Sequence, residues 1–149
     1  MNRWKLTYAT LLLLTWLVIQ AHPAYASSLD QPEVYVNNEK VDMYAVVSTA
    51  GITYVPFRPV FEKLDMTVDW NNTRKSVTAT NGKTTIMLTN LSDQAYVNGQ
   101  AVQLLEPPMY DPYDGIFYVN LRFVAEASGA QVTWITKDHV ARIYIKTPA

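Results

Sequence analysis

The chain has no cysteine, two histidines and five glycines in 149 residues. Without cysteine there is no disulfide framework and no thiolate to act as ligand or nucleophile, so stability rests on burial and backbone pairing. His22 lies in an N-terminal stretch read below as a leader, which leaves His139 alone. A zinc or copper site built on nitrogen and sulfur donors needs more, and no cofactor is expected. A dominant charge sign is missing too, with 12 Lys+Arg against 13 Asp+Glu. Nucleic acid requires a basic face, and none is visible. The longest apolar run, about Ala9 to Ile19, falls short of the ~20 residues that span a bilayer.

That short run has its own meaning. Arg3 and Lys5 precede it, and Ala24-Tyr25-Ala26 follows with the small-x-small pattern of a signal-peptidase site. Residues 1–26 therefore read as a signal peptide cleaved after Ala26, and the product as secreted or associated with the cell wall, with no stable membrane span. The absence of cysteine excludes a lipobox. Removing Arg3 and Lys5 takes the 12 basic residues to 10 against 13 acidic ones, a net charge of −3. With 49 % apolar residues, what remains is enough for one domain with a core.

The chain repeats itself. Thr53 to Trp70 (TYVPFRPVFEKLDMTVDW) returns as Phe117 to Trp134 (FYVNLRFVAEASGAQVTW); a shift of 64 aligns Tyr54, Val55, Arg58, Glu62, Val68 and Trp70 with Tyr118, Val119, Arg122, Glu126, Val132 and Trp134. Upstream, Val34 to Val41 is echoed by Ala95 to Val102 at a shift of 61. Two copies are fewer than a solenoid needs. The organisation is a leader over 27–33 and one domain over 34–146, with half-repeats of about 34–90 and 94–146.

Val34 to Val36 and Lys40 to about Tyr44 flank Asn37-Asn38, the pattern of a tight hairpin. Ile52 to Val55 is a strand that Pro56 ends. From Arg58 to Leu64 the period becomes helical, with Pro59 in the first turn. Gly129, and Asp65 in the first copy, stand where a helix C-cap takes positive φ. Strands ending in Trp70 and Trp134 follow, then Ser76 to Thr80 and His139 to Ile145. Asn81-Gly82 and Asn98-Gly99 both signal type I′ turns. The fold class is α+β: mainly antiparallel sheet or sheets with two short helices, built from two pseudo-repeated β-β-β-α-β-β units. Exposed sheet edges leave room for a homodimer.

The V-Y-V-N-x hairpin, the T/F-Y-V-P/N-x-R segment, the short helix with Glu four residues after Arg, and the closing V-x-W resemble the copper amine oxidase N-terminal domain, or stalk domain, family. The resemblance runs from Val34 to Ile145. It implies a non-catalytic module of exported or cell-surface proteins of Gram-positive bacteria. Copy two departs from the family pattern at Asn120, where proline is usual, and at Ser128, where a larger apolar residue is common. Copper-quinone chemistry is not implied: it needs three histidines and a tyrosine in an Asn-Tyr-Asp/Glu context, and Tyr110 and Tyr113 follow Met109 and Pro112.

No other catalytic pattern appears. Gly82-Lys83-Thr84 resembles the tail of a P-loop, but Val77 stands where its first glycine belongs. No G-x-S-x-G elbow gives His139 a serine to activate. Arg58 with Glu62 and Arg122 with Glu126 read as structural residues, each arginine reaching to a neighbouring strand to clamp helix to sheet. Trp70 and Trp134 read as packing under the helices. The stretch 106–115 (EPPMYDPYDG), without a counterpart in copy one, is the candidate ligand loop, with Glu106, Tyr110, Asp111, Tyr113 and Asp114 held among prolines. The leading expectation is a non-enzymatic binding or spacer element of the cell envelope. Its partner would be a cell-wall glycan, met through Tyr110 and Tyr113, or an envelope protein; a glycan hydrolase using Glu106 and Asp114 is a third reading.

Overall fold

The computed structural model describes residues 31–148. The expected signal peptide, residues 1–26, and its expected cleavage site lie outside the described residues. Those residues form three sheets and two helices. The first sheet holds β1 (Glu33–Val36), β2 (Glu39–Val41), β12 (Gln131–Lys137) and β13 (Val140–Lys146), in the order β12-β13-β1-β2. The second holds β3 (Val46–Val47), β4 (Thr53–Pro56), β10 (Met109–Asp111) and β11 (Ile116–Asn120), in the order β10-β11-β4-β3. The third runs in sequence through β5 (Thr67–Asn71), β6 (Ser76–Thr80), β7 (Thr85–Thr89), β8 (Gln94–Val97) and β9 (Gln100–Gln103). Helix α1 (Phe57–Lys63) follows β4, and α2 (Leu121–Ala127) follows β11. The class is α+β with mainly antiparallel sheets; β1 against β13 is a parallel pair.

Each half lends a hairpin to the other. The first hairpin, β1-β2, joins the sheet of the last, β12-β13, while β8-β9 from the second half extends the sheet begun by β5 and β6. The helices cross over as well. Helix α1 packs against β5 and β11, and α2 against β12 and β4. One continuous core results, running through Phe61, Ile86, Leu88, Phe117, Leu121, Ile143 and Ile145. Both helices are seven residues long, too short to persist without that packing.

Both helices end in the same hydrogen-bond pattern. The N–H of Asp65 donates to Glu62 O and that of Met66 to Phe61 O; Gly129 and Ala130 donate likewise to Glu126 and Ala125. This is the Schellman arrangement, which puts the residue after the cap in left-handed backbone: Asp65 has φ 55 and Gly129 φ 94. At its start α2 gains a cap from Asn120, whose side chain accepts from Phe123 N. Pro56 provides no such bond for α1. The departure from proline at Asn120 thus supplies a cap.

Several expectations need correcting. The expected antiparallel sheet or sheets number three among the described residues. The strand expected to reach Tyr44 stops at Val41, and β3, which the sequence reading passed over, pairs with β4 instead. Asn98-Gly99 makes its type I′ turn with both residues at positive φ, but at Asn81-Gly82 only Gly82 does. There the Asn81 side chain accepts from Lys83 N and Thr84 N and widens the connection to four residues between Thr80 and Thr85. His139 is not in a strand: with Asp138 it forms a two-residue turn, both at positive φ. The stretch 106–115 contains β10, which flanks β11 as β3 flanks β4, so it has a counterpart after all.

Candidate functional site

Alternation along sheet two decides what it buries and what it presents. Thr53, Val55, Phe117 and Val119 face the core, so Tyr54 and Tyr118 project from the opposite face. Tyr54 sits across from Asn120 on one side and Val46 on the other; Tyr118 sits between Pro56 and Met109. The two rings are therefore diagonal neighbours on adjacent strands. They form the floor of a groove of about 810 Å³, a size suited to a ligand.

Apolar side chains build the walls. Tyr44, Leu91 and Met109 line the groove and remain 52 %, 70 % and 49 % exposed, with Val46 and Pro107 beside them. Glu106, Asp111 and Asp114 stand at the same groove. The donors in the polar contacts are uncharged. Ser48 donates to Glu106 Oε2 at 2.9 Å, Tyr54 to the Pro107 carbonyl at 2.8 Å, and Tyr118 to Asp114 Oδ2 at 2.8 Å. Asp111 and Asp114 also accept from the backbone N–H groups of Tyr113 and Ile116. The lysines and arginines that form ion pairs among the described residues bind Glu33, Glu39 and Glu126 instead.

These surroundings reach the tyrosine hydroxyls. Burial, and then the charge of Glu106, pushes Tyr54 up to about 12. Burial again, and then the hydrogen bond and charge of Asp114, pushes Tyr118 up to about 12. Desolvation and nearby negative charge both disfavour a phenolate, so the two effects add.

The sequence-derived loop residues divide between two environments. Glu106, Asp111 and Asp114 line the groove. Tyr110 turns the other way, its ring 6.0 Å from Trp70 and beneath Lys75 Nζ at 4.3 Å. Tyr113 is 97 % exposed, so the two tyrosines make no joint platform. Trp70 packs between Phe57 and Phe117 as well, whereas Trp134 is partly exposed and donates weakly to Thr136. The arginine clamps are not formed. Arg122 pairs with Glu126 at 3.1 Å on the exposed side of α2, and Arg58 lies over the Phe57 ring at 5.2 Å. The buried stripes are Phe57, Val60, Phe61 and Leu121, Val124, Ala125; both arginines fall outside them and face solvent. No cluster of three or more His, Asp or Glu able to hold a metal occurs among the described residues.

The groove tyrosines were in plain view as repeat matches. Their alternation with Val55 and Val119 is the signal that places them opposite the core; Tyr44, Leu91 and Met109 arrive from separate segments and leave none. No curated protein and no solved structure matches the chain. The family model for the copper amine oxidase N-terminal domain, a non-catalytic module, matches residues 30–143, and the chain belongs to that family.

Proposed function

We propose that this protein is an exported, non-enzymatic module of the bacterial cell envelope and acts as a binding element through the groove over Tyr54 and Tyr118. The observation that carries the reading is the groove itself. A ligand-sized apolar concavity with exposed Tyr44, Leu91 and Met109 is more than a pure spacer needs. Export rests on Arg3, Lys5, the apolar run and Ala24-Tyr25-Ala26. Glu106 and Asp114 accept hydrogen bonds that hold the groove together, which favours a binding role over a hydrolytic pair. Expression in a Gram-positive host followed by fractionation tests the reading. The protein is expected outside the membrane with Ser27 at its N-terminus, and the purified protein is expected to pellet with envelope material. Retention in the cytoplasm with Met1 intact would refute export, and failure to pellet would favour the spacer.

A further inference from the structure

Apart from the Tyr44 hydroxyl, the side-chain polar groups that frame the groove point the same way chemically. The Tyr54 hydrogen is taken by the Pro107 carbonyl, the Tyr118 hydrogen by Asp114, and the Ser48 hydrogen by Glu106. What these groups still offer is oxygen lone pairs: two phenol oxygens, the Pro107 carbonyl, whose peptide unit has no N–H because Pro108 follows, and three carboxylates. No lysine or arginine is among the residues that line the groove. A ligand that fills it must bring hydrogen-bond donors and positive charge, together with enough apolar surface to cover Leu91 and Met109.

We infer that the groove over Tyr54 and Tyr118 receives an extended polypeptide segment whose lysine or arginine side chain enters among Glu106, Asp111 and Asp114. This inference rests on the binding-element reading above. Three observations favour a polypeptide. Strand β3 ends sheet two, and no described strand pairs with its outer edge, so the backbone groups at that edge are open to a polypeptide that runs from there across the floor of the groove. Tyrosine faces attract ammonium and guanidinium groups, and the chain already uses this contact where Lys75 sits over Tyr110. Met109, flexible and polarizable, adapts to apolar side chains of differing shape.

The charge of the acids is felt at the floor of the groove, since it helps hold the phenols of Tyr54 and Tyr118 in their neutral form.

The test uses the full chain and three probes: a short fluorescent peptide of alternating arginine and valine, its glutamate-for-arginine counterpart, and a chitin oligosaccharide. The inference expects saturable binding of the arginine peptide alone. The double substitution Glu106→Gln, Asp111→Asn keeps both acceptor oxygens and removes two charges; it should weaken binding by at least about tenfold while leaving the melting curve unchanged. Affinity should also fall steeply as added salt shortens the Debye length from ~10 Å to ~3 Å. Equal affinity in the double variant, or equal binding of the glutamate peptide, overturns the inference. Oligosaccharide binding that Tyr118→Ala abolishes, without arginine-peptide binding, overturns it too but keeps the groove as a binding element. No binding of any probe overturns the inference, and pelleting with envelope material then decides the wider reading separately.

Discussion

Val55 of β4 and Val119 of β11 face each other across the middle of sheet two, each with no exposed surface, and the 64-residue shift maps one onto the other. The axis relating the aligned segments therefore passes through a single residue pair. Around it the chain exchanges hairpins and helices between its halves. Truncating either valine opens a cavity in the closed core. Val55→Ala and Val119→Ala should each cost about 2–3 kcal/mol, combining lost transfer energy with the cavity. Because the residues touch, the double variant should differ from the sum of the single ones. Urea unfolding measures all three, and simple additivity would contradict the shared site.

The two ends of the α2 environment give a cleaner backbone test. A Cβ on Gly129 would meet Pro148 at an ordinary 3.8 Å, so Gly129→Ala probes conformation rather than crowding. It should destabilise by about 1 kcal/mol, the left-handed penalty less the entropy the alanine removes from the unfolded chain. Asn120→Ala, which deletes the cap on Phe123 N, should also cost about 1 kcal/mol.

Within the stretch 106–115 the tyrosines should behave in opposite ways. Tyr113→Ala should shift stability by less than about 0.5 kcal/mol, since the ring stands free. Tyr110→Ala should cost about 2–3 kcal/mol, because it strips the stack on Trp70 and the cation above it. Equal thermal melts for the two variants would show that the ring of Tyr110 is not held as described.

Acid should expose the Glu33 cluster. Lys40, Tyr35 and Arg142 all donate to this carboxylate, and they hold it down to about 2 from 4.5. A depressed folded value means that its contribution is present above pH 4.5 and lost as pH falls toward 2. Glu33→Gln should therefore be less stable than the parent at neutral pH, with the gap closing across that window. A gap independent of pH would deny the carboxylate its role.

Alkali should do the converse to the groove. Tyr54 and Tyr118 are raised from 10.0 to about 12, so their contribution is full below pH 10.0 and lost as pH climbs through 12. In an ultraviolet titration Tyr54→Phe and Tyr118→Phe should each delete one ionisation from the alkaline end. Loss of earlier ionisations instead would show that these phenols are not shielded.

Local pattern revealed much of this fold. Asn37-Asn38 and Asn98-Gly99 forecast their turns because left-handed backbone selects a short list of residues. Asp65 and Gly129 marked the helix ends for the same reason. The exchange of hairpins left no mark, because β1 meets β13 across more than a hundred residues and each strand looks the same whichever partner it finds. Arg58 and Arg122 misled because a repeated charged pair on so short a helix suggested a tether, when the buried stripe had already claimed every sheet-facing position. The candidate stretch was half legible: its acids reach the groove, while the ring of Tyr110 is drawn inward by Trp70, a contact that sequence spacing does not encode.

The parallel pairing of β1 with β13 also fixes how the molecule meets tension. The polypeptide enters this pair at Glu33, opposite Arg142, and leaves at its far end, where Val36 lies opposite Ile145. A pull on the two ends drags the strands past each other lengthwise. The hydrogen bonds of the register share the force instead of opening one at a time. The Tyr35–Tyr144 stack at 4.9 Å and the Asn37–Thr147 side-chain bonds resist the same slide. Resistance to such a force is set by the unfolding rate rather than by equilibrium stability. A domain stitched shut by its own first and last strands is a clasp, and it holds hardest along the line of the chain.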